Sequence, residues 1–162
     1  MNIKQEMVDW LRTTHWDVFG CLNFKRKPTE MDAQKVLAYF WNRVDRYYFG
    51  NASHRKNLRV ERMCFLHTGI SNTNYHFHFV ANAPRLVSQY DFVNKLNRTW
   101  RYEVRESGWF SYIQPARSQQ AVCNYLVREF YKLGMDSFNT LGSYKNLNKA
   151  GKGKKVRLAV LF

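Results

Sequence analysis

The chain has 162 residues, of which 26 are Lys or Arg and 12 are Asp or Glu, giving a formal net charge of +14 at pH 7. Hydrophobic residues make up 45% and charged residues 23%, which excludes a disordered or fibrous chain and fits a single domain over residues 1–162. The basic excess indicates a polyanionic partner, and the 17% of aromatic residues suits single-stranded nucleic acid, whose bases stack on rings. A basic protein with a bulky core is the alternative.

Cysteine usage and apolar runs indicate the compartment. Three scattered cysteines (Cys21, Cys64 and Cys123) are too few for a disulfide framework or a Cys-rich zinc site and favour a reducing environment. No apolar run approaches the ~18 residues that span a bilayer. The N-terminus carries Glu6 and lacks the apolar core of a secretory signal. We therefore expect an intracellular protein without a membrane partner.

Residues 16–50 are predicted to form a strand followed by a helix. Residues 16–24 predict a strand, which ends at the basic cluster of residues 25–27. Thr29 and Asp32 form an N-cap signature, apolar residues then recur at helical spacing, and Gly50 ends the predicted helix.

After this helix, the chain adds a hairpin, two helices and a strand. Residues 58–68 and 75–81 are predicted to form the hairpin, Ser88 to begin a helix, residues 109–114 to form a strand, and Ser118 to begin a helix that ends at Gly134. This order predicts an α+β fold with a central antiparallel sheet and helices packed mainly on one face. A basic stretch at residues 146–155 suggests a flexible loop, and residues 156–162 are a further strand candidate.

The segment His76-Phe77-His78 places two imidazoles on one face of the predicted third strand, about 6–7 Å apart. Both can reach one divalent cation, because imidazole is a common metal ligand. The alternative is that two histidines at this spacing occur by chance or are ordinary polar residues in contact with solvent.

A tyrosine lies among charged residues on the last predicted helix. Tyr125, Arg128, Glu129 and Lys132 follow i, i+3, i+4, i+7 spacing, which predicts one polar helix face. Such a tyrosine suits phosphoryl transfer, because the cations can neutralise phosphate charge. A solvated helix face is the alternative.

Taken in chain order, the first-strand segment, the histidine pair and the tyrosine segment resemble the motifs of the HUH endonuclease superfamily. Within it, they resemble those of the one-tyrosine rolling-circle replication initiators (Rep proteins). The resemblance covers residues 16–132 and rests on FGCLNF at residues 19–24, His76-Phe77-His78 and the segment from Tyr125 to Glu129. The first motif lacks the family's usual threonines, and Arg128 stands where Lys is commoner.

The resemblance implies a metal-dependent nickase and strand transferase acting on single-stranded DNA at a replication origin. His76 and His78 would bind Mg²⁺ or Mn²⁺, and Tyr125, assisted by Arg128, would attack the scissile phosphate. The products would be a 5′-phosphotyrosine link and a free 3′-OH, which primes synthesis by the host replication machinery. The expected setting is a prokaryotic cell carrying a plasmid or phage, or the host cell of a virus, and the expected state is a monomer.

The third metal ligand stays open. His67 ranks first, because it occupies a position where many Rep proteins carry a Glu that faces the histidine pair. Glu129, four residues after the tyrosine, is the second option, and Glu61 is a weaker one. An all-imidazole set would favour Mn²⁺ or softer ions, since Mg²⁺ prefers oxygen ligands.

Tyr131 is a rival nucleophile, but six helical positions turn it about 120° away from Tyr125. DNA binding is assigned to cations expected near the open face of the sheet. These candidates are Lys25, Arg26, Lys27, Arg55, Lys56, Arg59, Arg98, Arg101, Arg117 and Lys132. Two other functions stay open, namely a dimeric single-strand transposase of the same superfamily and a non-catalytic single-stranded nucleic-acid-binding module.

Overall fold

The computed structural model describes residues 2–145, so the predicted loop at 146–155 and the strand candidate at 156–162 lie outside the described residues. Within this range, four strands form one antiparallel sheet in the order β2-β3-β1-β4. The strands are β1 (Val18–Leu22), β2 (Arg62–His67), β3 (His76–Ala81) and β4 (Tyr112–Pro115). The helices are α1 (Ile3–Leu11), α2 (Glu30–Phe49), α3 (Ala52–Arg55), α4 (Gln89–Arg98), α5 (Gln119–Leu126) and α6 (Phe130–Leu133). The predicted α+β class is confirmed.

The two longest helices, α2 and α4, pack on one face of the sheet. Strand alternation points Phe77 and Phe79 of β3 to this face, where both are fully buried. From α2, the predicted apolar stripe contributes Phe40 and Trp41, and both rings contact Phe79. A π-helical turn (Thr99–Glu103) continues α4 and adds the buried Trp100 to the same core. This face is a closed aromatic core.

The opposite face of the sheet is covered in part by the shorter helices α1, α5 and α6. The sequence did not predict α1, whose N-cap Asn2 accepts a hydrogen bond from the Lys4 N–H. Met7, Val8 and Leu11 of α1 pack with apolar residues of β1, β2 and α5 in a second buried cluster. The two longest helices, α2 and α4, lie on one face as expected. The second face also carries helices, because α1 and α5 have apolar sides that pack against it.

The outer edge of β2 is covered by residues 138–144. Phe65 forms a β-bridge with Phe138, and Arg62 forms one with Tyr144. The Arg62 side chain is 1% exposed, donates from Nε to the Gly142 carbonyl at 2.9 Å and forms a 2.9 Å ion pair with Asp45. These bonds close an edge that would otherwise present unpaired backbone groups to solvent.

The antiparallel arrangement sets which residues meet at each end of the sheet. β1 and β2 end, and β3 and β4 begin, at the same end. We call it the histidine end, because β2 ends with His67 and β3 begins with His76. Residues that follow β1 or precede β4 therefore also lie at this end.

Candidate metal and tyrosine site

Three imidazoles converge at the histidine end. The β2–β3 register pairs His67 directly with His76, and His78 lies two residues further along β3 on the same face. The ring centroids are 5.6 Å apart for His67 and His76, 4.4 Å for His67 and His78, and 5.0 Å for His76 and His78. Each residue offers one ligand atom, and these atoms all lie within 4.8 Å of one another. The structure thus brings the first-ranked third ligand to the predicted pair.

Hydrogen bonds show which ring nitrogens donate a proton and which keep a free lone pair. Nε2 of His67 donates to the Leu126 carbonyl at 2.9 Å, and Nδ1 of His76 donates to the Asn74 carbonyl at 2.7 Å, since a carbonyl can only accept. Within residues 2–145, Nδ1 of His67 and Nδ1 of His78 are buried and have no hydrogen-bond partner. A ring that donates to a backbone carbonyl and keeps its other nitrogen free is typical of a metal ligand. The donor set therefore fits a divalent cation.

Burial keeps these imidazoles neutral, which is the form that coordinates a metal. It lowers the pKa of His67 to about 4 and the pKa of His76 below its usual value. The pKa of His78 falls well below the usual value because of burial, and then because its protonated ring would be repelled by protonated His67 or His76 and by Arg128. At pH 7 all three lone pairs are available to a cation.

These pKa shifts predict a loss of stability in acid. Because the folded-state pKa of His67 is lowered from 6.5 to about 4, the unfolded chain takes up its proton first as the pH falls. The stability is complete above pH 6.5 and is lost progressively toward pH 4, by about 3 kcal/mol for a shift of this size. Urea unfolding in EDTA at pH 7.5, 6 and 5 measures this change.

The exposed His54 provides the matched control for this titration. His54→Gln should reproduce the pH profile of the unaltered protein, whereas His67→Gln should make it shallower, since the lowered pKa values of His76 and His78 still contribute. An unfolding free energy that stays constant from pH 7.5 to pH 5 would contradict the neutral histidine cluster.

Tyr125 lies against this cluster. Its ring packs edge-on to His78, with centroids 4.9 Å apart and an interplanar angle of 77°. The Arg128 guanidinium lies over the tyrosine ring at 4.6 Å, and Phe19 of β1 packs edge-on to that ring at 5.7 Å. Tyr112 of β4 also packs on Phe19, at a centroid distance of 6.0 Å, and burial, then Cys21 and Tyr125, raise its pKa to about 12. The predicted nucleophile and the histidines therefore share one face of the sheet.

The single helix predicted from Ser118 to Gly134 is wrong, because the helix breaks directly after Leu126. The Leu126 carbonyl accepts from His67, and the Phe130 N–H, which would bond Leu126 in a continuous helix, bonds Val127 instead at 3.1 Å. Residues 127–129 form a turn, and α6 begins at Phe130. The polar face expected for Tyr125, Arg128, Glu129 and Lys132 therefore does not form.

The Glu129 side chain ties this turn to the turn between β2 and β3. It is 3% exposed, and its oxygens accept from the N–H groups of Thr68 at 2.7 Å and Gly69 at 3.1 Å. Burial acts to raise the pKa of Glu129, but the Thr68 amide, His67 and Lys132 outweigh it and lower the pKa. Lys132, predicted to contact DNA, donates to the Gly69 carbonyl at 2.6 Å. Both oxygens of Glu129 thus already accept backbone hydrogen bonds, and Glu129 is not among the three residues whose ligand atoms lie close together.

Glu129→Gln should separate a positioning role from a ligand role. The glutamine amide keeps one oxygen that can accept a hydrogen bond, but its NH₂ group replaces the other oxygen and faces a backbone N–H that then lacks an acceptor. We therefore expect a loss of about 2 kcal/mol in the free energy of unfolding. Calorimetric titration with Mn²⁺ should give an affinity within a few-fold of the unaltered protein.

Glu61→Gln is the matched control for the Glu129 substitution. Glu61 precedes β2 at the end opposite His67, about 20 Å away at 3.3 Å per residue, which excludes it as the third ligand. A more than tenfold weaker Mn²⁺ affinity for Glu129→Gln, with stability unchanged, would instead identify Glu129 as a ligand.

The structure does not bring the predicted DNA-binding cations onto one surface. Lys25, Arg26 and Lys27 are exposed and follow β1 at the histidine end. Arg98 and Arg101 lie on α4 and its π-helical extension, over the first face. Four further candidates are exposed before β2 or after β4, toward the opposite end, namely Arg55, Lys56, Arg59 and Arg117. The face that was expected to be open beside these cations is covered in part by α1, α5 and α6.

Two neighbours of the site were missed from the sequence. Phe19 stacks on His78 with a 5.9 Å centroid separation and a 7° interplanar angle, and Cys21 Sγ lies 3.9 Å from His78 Nε2. Alternation along β1 indicates that these two residues share a face. Only the β1–β3 register, which pairs Cys21 with His78, shows that the shared face is the histidine face.

Comparison with known proteins found no matching protein family, no matching curated protein and no matching solved structure. Within residues 2–145, no helix has both the length and the apolar composition needed to cross a bilayer.

Proposed function

We propose that this protein is a metal-dependent endonuclease and strand transferase that acts on single-stranded DNA. The observation that carries the proposal is the contact between Tyr125 and His78 within a cluster of three neutral, lone-pair-bearing histidines. A nucleophile beside a candidate cation site suits attack on a phosphodiester. The order of the motifs along the chain, which resembles that of HUH endonucleases, supports the same conclusion.

In the proposed reaction, the Tyr125 oxygen attacks the scissile phosphorus and forms a P–O bond to the enzyme. The bond from phosphorus to the 3′ oxygen breaks, and the proton lost by tyrosine is balanced by the proton that the 3′ oxygen gains from solvent. The products are a 5′-phosphotyrosine and a free 3′-OH. Because the link conserves the energy of the phosphodiester, attack by a 3′-OH in the reverse direction rejoins strands without ATP.

The histidines and Arg128 would have separate roles in this reaction. His67, His76 and His78 would hold a divalent cation, which supplies Lewis-acid withdrawal of charge from the phosphate oxygens. Three nitrogen donors favour Mn²⁺ over Mg²⁺, whose preferred ligands are oxygens. Arg128, exposed beside the tyrosine ring, would attract the phosphate and offset its charge.

The biological setting is part of the proposal. The substrate would be single-stranded DNA at a replication origin, and the free 3′-OH would be extended by the host replication machinery. The protein would act as a monomer inside a prokaryotic cell that carries a plasmid or phage, or inside a virus-infected host cell.

Formation of a covalent adduct tests the proposal. The protein should convert part of a labelled pool of single-stranded oligonucleotides into a denaturant-resistant protein–DNA band in Mn²⁺, and EDTA should prevent it. His78→Ala should also lose the band, whereas His54→Ala, which alters an exposed histidine, should retain it. Absence of an adduct across a diverse pool would overturn the nickase and favour a binding module, and an adduct formed only by a dimer would favour a transposase.

A further inference from the structure

Two neighbouring aromatic side chains stand almost entirely in solvent on the loop before β4. Trp109 is 90% exposed and Phe110 is 88% exposed. Single exposed aromatic residues are ordinary, but two adjacent large rings form an apolar patch, and such patches mark binding surfaces. The proposed catalytic site does not use either ring.

The loop that carries these rings is fixed to β1 and to the core. The Gly108 N–H donates to the Asn23 carbonyl at 2.7 Å, and the Asn23 side-chain amide donates to the Phe110 carbonyl at 3.3 Å. The Ser111 hydroxyl accepts from the buried Trp100 indole at 2.8 Å. A Cβ at position 108 would lie 2.8 Å from the Asn23 carbonyl oxygen, so this close approach requires glycine. Rings on such a loop can bind a ligand with little loss of backbone entropy.

The loop that carries these rings lies at the histidine end, and exposed cations adjoin it. Phe110 is two residues before Tyr112, which pairs with Cys21, and Cys21 pairs with His78. Two strand spacings separate the backbones of Tyr112 and His78, which is about 10 Å. The Lys25 N–H donates to the Glu106 carbonyl at 2.9 Å, so the exposed basic residues 25–27 adjoin the same loop.

We propose that Trp109 and Phe110 form a base-stacking site for single-stranded DNA, which holds the strand while its phosphate reaches Tyr125. The inference rests on the proposed function for the identity of the strand. Unpaired bases expose flat faces that stack on aromatic rings, whereas the bases of a duplex are already stacked on one another. The adjacent lysines and arginine supply the attraction for phosphate that an apolar protein partner would not need.

Binding measured without chemistry tests this proposal. In EDTA and in a Tyr125→Phe background, fluorescence anisotropy with a labelled oligothymidine should show weaker binding for Trp109→Leu and for Phe110→Leu. Removing one stacked ring should cost roughly 5- to 150-fold in affinity, while leucine keeps the site apolar. Trp109→Phe should retain most of the affinity, and thermal unfolding should show that every variant folds.

Tyr90→Leu is the matched control, since Tyr90 is 74% exposed in the first turn of α4, which follows the end of β3 opposite the histidines. Its affinity should be unchanged. Lys25→Gln removes an expected phosphate contact, so the loss of affinity that it causes should shrink as the salt concentration rises. The loss of affinity caused by Trp109→Leu should persist at high salt.

Unchanged affinity in both leucine variants would overturn the stacking site, even if the adduct forms as proposed. Loss of a concentration-dependent self-association in Trp109→Leu, with DNA affinity unchanged, would also overturn it and assign the patch to contact between copies. Weakened binding together with an absent adduct would retain the stacking site and reject the nuclease.

Discussion

Tyr125→Phe is expected to abolish covalent adduct formation, reducing it by about 10³-fold or more. Phenylalanine removes only the attacking oxygen. The ring contacts to His78 and Phe19 and the contact with the Arg128 guanidinium all persist. Folding, Mn²⁺ affinity and oligonucleotide affinity should therefore match those of the unaltered protein, and a gel of the denatured reaction mixture measures the adduct.

Tyr131→Phe is the matched control for this loss. Tyr131 is 77% exposed and lies on α6, beyond the break that follows Leu126. Nothing in the described residues places its oxygen with the histidines, so its removal should leave the adduct yield unchanged. The reverse pattern, with the adduct lost only in Tyr131→Phe, would show that Tyr125 is not the nucleophile.

The largest loss of stability is expected for Arg62→Ala. Arg62 and Asp45 are 1% and 2% exposed, and Asp45 also accepts from the Val60 N–H at 2.8 Å. Removing the guanidinium leaves the buried carboxylate without its countercharge and removes a stacking contact with Trp41, whose ring lies 4.5 Å away. A buried pair broken in this way costs about 3–5 kcal/mol in the free energy of unfolding, which urea titration measures.

Two further variants check the origin of this loss. The double substitution Arg62→Met with Asp45→Leu removes both charges and should recover much of the stability. Arg43 pairs with Glu103 at 2.7 Å, but its side chain is 49% exposed, so Arg43→Ala should cost at most about 1 kcal/mol. Equal losses for Arg43→Ala and Arg62→Ala would contradict the importance of burial.

Local signals predicted the elements that their own residues determine. The N-cap at Thr29 is confirmed by its bond from the Asp32 N–H, and Gly50 ends α2 with a positive φ of 55°. Ser88 and Ser118 likewise accept from the backbone three residues on. Strand alternation correctly separated Phe77 and Phe79 from His76 and His78. These features depend on neighbours within a few positions, so the sequence suffices.

Features that depend on distant partners were not predictable. The break after Leu126 needs a donor from His67, which is 59 positions away in the chain. The burial of Glu129 needs the amides of Thr68 and Gly69, so a residue that helical spacing assigns to a solvated face lies inside. The strip of residues 138–144 along β2 depends on Arg62, a charged residue that composition alone would place at the surface.

The His67 ring has one nitrogen hydrogen-bonded to a backbone carbonyl and the other free for a cation, and this combination restricts which amino acid position 67 can carry. A carboxylate there would offer a good ligand to a cation, but it has no hydrogen to give and would set two oxygens against the Leu126 carbonyl. Glutamine could donate to that carbonyl, yet its amide is a poorer ligand than imidazole for a transition metal. Of these three residues, only histidine could offer one nitrogen to a cation while the other donates to the carbonyl at the end of α5, so a substitution at position 67 that keeps one of these contacts would weaken the other.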